Sequence, residues 1–203
     1  MSFEYGIFTA DDSPAVIRIL ADVFTRKDPL ATAVGVTEPD FQTFARLLCP
    51  KAAAEGLTIV ARHAATREIA GVMLTEDSAS PMPDGFDTLS PNFSPIFEFL
   101  HNLEVEYRAG RDPRPGEWLH LFLLGVAESY GGRGIAQQLV STCLENGARR
   151  GYRLAVTEAT NPTSQHIFRK LGFADRARRS YADSAPFAPV AWAGGTILMD
   201  RSL

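Results

Sequence analysis

The residues between Leu124 and Ala136 run Leu-Gly-Val-Ala-Glu-Ser-Tyr-Gly-Gly-Arg-Gly-Ile-Ala, so an apolar stretch feeds directly into Gly131, Gly132, Arg133 and Gly134. Glycine allows backbone angles closed to other residues and lets a ligand approach the main chain closely. A helix starting just after such a turn presents unpaired N–H groups and the positive end of its dipole. Together these features suit a phosphate or pyrophosphate, and Arg133 could add a charge-assisted contact. The bland alternative is a strand-to-helix turn that needs glycine for its geometry alone. Two nucleotide-binding patterns are excluded. The chain has no G-x-x-x-x-G-K-S/T, and Gly132-Arg133-Gly134 does not continue as G-x-G-x-x-G, because residue 137 is Gln.

The elements around this loop alternate in type. The pattern predicts strands over Tyr5–Thr9, Leu57–Ala61, Ile69–Thr75, Trp118–Val126, Tyr152–Thr157, Arg176–Ala182 and Gly195–Asp200. A first helix carries Val16, Ile19, Leu20 and Val23 and should stop before Lys27-Asp28-Pro29, since the residue preceding proline avoids helical angles. A second starts near Glu38 with Phe41, Phe44, Leu47 and Leu48 on one face. A third is amphipathic over Pro95–Tyr107. Two more are expected at Ile135–Arg150 and Thr163–Leu171, the latter ended by Gly172. Ser78–Ser94 and Arg108–Glu117 read as loops, the first a surface loop. Strands interleaved with helices indicate an α/β (α+β) layered domain.

The bulk properties agree with one domain over residues 1–203. Hydrophobic residues make up 45% and charged residues 22%, and the formal net charge is -4, which argues mildly against nucleic acid as the main partner. No metal site is expected. Cys49 and Cys143 form no C-x-x-C and each sits in an apolar helical pattern, so both are expected as buried free thiols, with a cytoplasmic location as the default. The N-terminus lacks a basic region followed by an apolar run, and no apolar stretch has the ~18–20 residues that span a bilayer, so neither a signal peptide nor a membrane partner is expected.

The run Leu124–Val126 followed by Tyr130–Ala136 resembles the acetyl-CoA loop of the GNAT superfamily of N-acetyltransferases. That pattern is Gln or Arg, two variable residues, Gly, one variable residue, then Gly or Ala. Gly134 and Ala136 match its last two fixed positions, whereas Gly131 stands where Gln or Arg is usual. A second block, Asn161 to Phe173, is similar to the family's N-x-x-A/S-x-x-x-Y-x-K-x-G-F, one helix and one strand further on. The resemblance covers about Trp118 to Phe173 well and the ends loosely. It implies a GNAT-type mixed, twisted central sheet flanked by helices, with acetyl-CoA as co-substrate. The strands ending at Val126 and Thr157 would splay apart. Backbone groups of Leu124 and Val126 would pair with the pantetheine arm, Gly131, Gly132, Arg133, Gly134, Ile135 and Ala136 would hold the pyrophosphate, and Asn161, Ser164 and Phe168 would face the cofactor from the other side.

Amine acetylation needs a neutral amine and a proton for the departing thiolate. Many family members use a tyrosine of the second block as the acid; here that position is Phe168, which cannot donate. Ser164, one turn earlier, and Tyr181 are substitute hydroxyls. For the base, His120 lies on the central strand, where period-two alternation puts it on one face with Trp118, Phe122, Leu124 and Val126 unless a bulge intervenes. A hydrogen-bonded core histidine is the bland alternative. Glu117 alternates to the other face and reads as a charge at the strand's start. A narrower resemblance supplies a rival. Lys27-Asp28-Pro29-Leu30 is similar to the D-E-P-L segment of insect arylalkylamine (dopamine-type) N-acetyltransferases, whose Glu is a base. In that family two serines assist, and Thr160 and Ser164 fall at their positions. Asp28 would then be the base; the bland alternative is an Asp-Pro turn.

The expected acceptor is a small-molecule amine, arylalkylamine or polyamine-like. Phe93, Phe97, Phe99, Trp118 and Phe122 are candidates to line its pocket, though most such aromatics are core. A protein lysine or N-terminal acetyltransferase, and a non-catalytic acyl-CoA-binding sensor, remain open. A homodimer is common in the family.

Overall fold

The computed structural model describes residues 2–203. Seven strands form one sheet in the order β1-β2-β3-β4-β5-β7-β6: β1 (Phe3–Ile7), β2 (Ile59–His63), β3 (Ile69–Asp77), β4 (Trp118–Val126), β5 (Leu154–Ala159), β6 (Ala174–Ser180) and β7 (Gly195–Ser202). Every neighbouring pair is antiparallel except β4 and β5, which are parallel. The sheet is therefore mixed, as expected. Four strands lie two residues from their expected positions: β1 and β6 start two earlier, β2 and β5 two later. A shift of two keeps each residue on its face, so the apolar pattern was right and only the ends, set by the partner strand, differ.

The helices are α1 (Ser13–Lys27), α2 (Pro29–Ala33), α3 (Glu38–Glu55), α4 (Ser94–Arg108), α5 (Ile135–Arg149) and α6 (Pro162–Lys170). Helix α1 runs through Lys27, one residue past its expected stop, and ends where Asp28 turns extended at φ -82°, ψ 123° before Pro29. The same Asp28 then caps α2, a turn not foreseen from the sequence, by accepting from the N–H of Ala31. Helix α3 opens on a Thr37–Asp40 capping box and closes on left-handed Gly56, φ 63°.

One sheet face packs against α5, with Leu119, Leu121, Ile135, Leu139, Val140 and Cys143 in a shared cluster. The other packs against α1, α3 and α4, with Leu20, Phe41, Phe44, Phe93 and Ile96 meeting Val72, Leu74 and Leu123. Both cysteines are free and buried. The expected surface loop Ser78–Ser94 instead contributes core: Phe93 is buried, and Phe86 packs edge-on to Phe44 at 5.7 Å between ring centres. Its Pro and Gly content described the backbone correctly but not the destination of its two phenylalanines.

Two irregularities in β4 matter most. Leu74 pairs with Leu123 but Thr75 pairs with Leu121, so Phe122 is an extra residue, a β-bulge. Leu119 and Leu121 face α5; beyond the bulge Leu124 and Val126 do so, while Leu123 faces α1 and α3. Second, β4 and β5 pair only through Trp118–Leu154, Leu119–Ala155 and His120–Val156. Past that point Thr157 donates its hydroxyl to the Leu121 carbonyl at 2.9 Å, and backbone pairing stops. Thr157 is buried, so Thr157→Val, which keeps the shape but leaves that carbonyl unpaired, should lower stability by about 1–3 kcal/mol in urea unfolding. An unchanged unfolding midpoint would show that the bond contributes nothing.

Candidate active site

The gap between the diverging ends of β4 and β5 opens into a cavity of about 120 Å³. Leu121, Phe122, Leu123 and Leu124 line one side, and Thr157, Glu158, Ala159, Thr160 and Asn161 the other. Lys27, Asp28, Ser164 and Phe168 complete it, with a wall of Phe24, Phe41, Phe44, Phe93 and Phe97. Of the aromatics singled out in the sequence, Phe93, Phe97 and Phe122 reach this wall. Phe99 packs on Tyr181 and Phe187, and Trp118 on Tyr107, so these two are core.

Asp28 and Thr160, 132 positions apart in sequence, meet here: the Thr160 hydroxyl donates to Asp28 Oδ2 at 2.5 Å, and Ala31 N–H donates to Oδ1 at 2.9 Å. The Asp28 side chain is buried. Burial pushes its carboxyl up, against the opposing pull of the hydrogen bonds from Thr160, Ala31 and Leu30, and the net shift is upward. Three protein donors meet a carboxylate with about four lone-pair sites, so one site stays open. The Tyr181 hydroxyl donates to the Thr160 carbonyl at 2.6 Å and shares a hydrogen bond with Thr196 at 2.9 Å, so Tyr181 braces the turn carrying Thr160 from a fully buried position. Burial moves its phenol further above the ordinary range.

Ser164 and Asn161 cap α6 reciprocally. Asn161 Oδ1 accepts from Ser164 N–H at 2.9 Å, and the Ser164 hydroxyl donates to the Asn161 carbonyl at 2.9 Å. Ser164 thus borders the cavity with its hydroxyl proton already engaged. Phe168 is buried and meets Phe173 edge-on at 5.0 Å.

His120 is not where simple alternation put it. The bulge at Phe122 separates its face from that of Leu124 and Val126, because one extra residue reverses a period of two. Its ring lies between two carboxylates: Nδ1 is 3.0 Å from Glu76 Oε1 and Nε2 is 2.8 Å from Glu158 Oε2. Lys51 in turn binds Glu76 Oε2 at 2.5 Å. A neutral imidazole donates from one nitrogen only, so two carboxylate partners require the protonated ring. Burial opposes that charge, but Glu158 and Glu76 outweigh it and push the imidazole up to about 10. With both nitrogens bonded, the ring has no lone pair for an acceptor's proton at neutral pH. Glu76 and Glu158 were missed in the sequence. The available signal was a glutamate following each of two otherwise apolar strand runs. Glu117 behaves as expected, accepting from Arg114 N–H at the start of β4.

The glycine-rich loop lies apart from the cavity, on the surface. Gly132 and Gly134 take positive φ, 71° and 76°, and Gly134 caps α5. The N–H groups of Gly132, Arg133 and Gly134 donate to no protein acceptor among the described residues, and those of Ile135 and Ala136 are in the helix's first turn, where no i−4 carbonyl is available. Leu124 and Val126 lie on the edge of β4 that β5 has left. Among the described residues no group of three or more His, Cys, Asp or Glu is arranged to hold a metal ion.

Residues 96–173 match the acetyltransferase (GNAT) family model. The segment so matched holds most of α4, then β4, the glycine-rich loop, α5, β5 and α6. No curated protein matches the sequence. Among solved structures, the chain is similar to the C-terminal condensation domain of Ebony in complex with beta-alanyl-dopamine, at TM-score 0.90, 19% identity and full coverage of both chains. It is similar to arylalkylamine N-acetyltransferase 2 of Aedes aegypti, at TM-score 0.80 and 19% identity over 100% of this chain and 99% of that one. It is also similar to the polyamine N-acetyltransferase of Drosophila melanogaster, at TM-score 0.75 and 17% identity over the whole of both. At these identities the likeness is one of fold.

The Lys51–Glu76–His120–Glu158 chain carries a stability signature. The folded imidazole holds its proton up to about 10, whereas an unfolded one releases it near the ordinary 6.5. Its contribution is therefore complete below about pH 6.5 and is lost as pH rises towards 10. Melting temperature should fall across that window, and His120→Gln should flatten the fall. A wild-type profile no steeper than the variant's would refute the assignment.

Proposed function

We propose that this protein transfers an acetyl group from acetyl-CoA to the primary amine of a small molecule, with Asp28 as the base. The meeting of Asp28 and Thr160 at the splay carries the reading: a buried carboxyl with a raised pKa, a free lone pair and a fixed orientation faces the place where the strands part. The residues present suit the co-substrate. Three unpaired N–H groups at the α5 N-terminus fit a pyrophosphate, and the free edge of β4 fits the amides of pantetheine as an added strand. With glycine at 131, this grip rests on the backbone and Arg133.

In this reading Asp28 takes one proton from the acceptor's ammonium and the neutral nitrogen attacks the thioester carbonyl carbon; as the C–S bond breaks, the nitrogen's second proton goes to the departing thiolate and CoA leaves as the thiol. Thr160 orients that carboxyl, and Tyr181 fixes Thr160. Aromatic walls exclude water, which favours the amine over hydrolysis. A cavity of about 120 Å³ walled by aromatic rings suits a small acceptor better than a peptide, which needs a long groove. The fold neighbours named for arylalkylamine and polyamine acetylation support the same acceptor class.

The likeness to a domain bound to beta-alanyl-dopamine favours a second reading, in which the acyl group is an aminoacyl one and the acceptor an aromatic amine. One assay separates these. Free CoA should appear when purified protein meets acetyl-CoA and a panel of amines, and Asp28→Asn, which still caps α2, should lower kcat/KM by about 10²–10⁴-fold. Turnover with beta-alanyl-CoA alone would favour the second reading. Binding of acetyl-CoA with no turnover of any donor would overturn both and leave an acyl-CoA sensor.

A further inference from the structure

A second, larger hollow of about 670 Å³ adjoins the first on the side of the sheet that carries His120. Its ionisable lining is Glu76, Glu98, His101, His120, Glu158 and the ion pair of Glu104 with Arg108, and Phe86 also borders it. The two hollows share Phe97, Leu100, Phe122 and Glu158, which form the partition between them. Glu158 is the ionisable side chain common to both among the described residues.

The chemistry of this carboxylate is unusual. Oε2 is committed to the His120 ring, whereas Oε1 has no protein donor among the described residues, although the side chain is only 12% exposed. Glu158 stands two residues before Thr160, which directly follows β5, and both line the inner cavity. Thr160 holds Asp28. Glu158 therefore stands, with Phe97 and Phe122, where the outer hollow meets the cavity that holds Asp28. An alkylamine is an ammonium at neutral pH, and a half-satisfied carboxylate flanked by aromatic faces suits that charge.

We propose that Glu158 is the specificity-determining residue that receives the acceptor's ammonium in the partition and delivers it to Asp28, the acceptor entering through the outer hollow. This rests on the amine-transfer reading. His120 acts as a positioning residue: its ring fixes one carboxylate oxygen and leaves the other for the ligand. Reading charge at Glu158 and removing the proton at Asp28 divides two tasks that a single carboxylate performs poorly, since tight binding of an ammonium favours keeping its proton.

The test compares a cation with its neutral counterpart. Calorimetry with phenethylamine and with 2-phenylethanol is run on the wild type, Glu158→Gln and Glu158→Asp. Gln keeps an acceptor for His120 and removes the charge. We expect Glu158→Gln to weaken phenethylamine by about ten- to hundredfold and to leave 2-phenylethanol within about twofold, with acetyl-CoA affinity unchanged as a check on folding. Glu158→Asp should restore part of the preference for the cation. In turnover the loss should fall on the amine's KM rather than kcat. Equal loss for both ligands would show a structural role and overturn the proposal, as would no loss for either or no wild-type preference for the cation. The amine-transfer reading fails separately. If no amine releases CoA from the wild type yet the cation preference depends on Glu158, the charge reader stands and the transfer chemistry falls.

Discussion

Pairing between β4 and β5 ends at His120 and Val156, and the rest of the site follows from that interruption. Parallel strands in a continuous sheet satisfy each other's backbone groups. Here Leu121–Val126 keep only β3 as a partner, because the Thr157 hydroxyl takes over the Leu121 carbonyl and β5, paired with β7 along its whole length, diverges from β4. The unpaired edge and the wedge of space beside it are two consequences of one event. A strand edge in the middle of a sheet would be a liability if exposed. In this fold residues of α1, α2, α4 and α6 border the wedge beside it.

The bulge at Phe122 sets what faces that wedge. Before it, even-numbered residues of β4 point away from α5, so His120 reaches Glu76 and Glu158. After it, Leu124 and Val126 point toward α5 and the glycine-rich loop. One inserted residue lets a single strand serve a charged compartment at one end and an apolar, loop-facing surface at the other. The charged compartment is balanced internally, Lys51 and the His120 imidazolium against Glu76 and Glu158, which makes its burial tolerable. Asp28 has no cation bonded to it, only hydrogen-bond donors, and its carboxyl is raised accordingly. Asp28 and Glu158 line the same cavity yet differ in kind: Glu158 is bound to a cationic ring, and Asp28 is held by neutral donors with its carboxyl raised.

By itself the sequence determined the mixed α/β layering, the central strand Trp118–Val126, the helix after Gly134 and the phosphate-suited loop between them. These are local properties: hydrophobic period, cap residues and glycine positions act over a few neighbours and leave a readable pattern. It also singled out Asp28, Thr160 and Ser164, through motif likeness and not through any property of their spacing. Tertiary structure alone decided which of these meet. Asp28 and Thr160 touch because α1 ends beside the end of β5, and no local signal reports a contact across 132 residues. The orientation of His120 depended on a bulge defined by its partner strand, and the parts played by Glu76 and Glu158 on which residues the sheet set opposite that ring. The loop that first pointed to a phosphate was written in consecutive residues; the acids beside the splay, Asp28, Glu76 and Glu158, come from the α1–α2 junction, β3 and β5, and only folding brings those together.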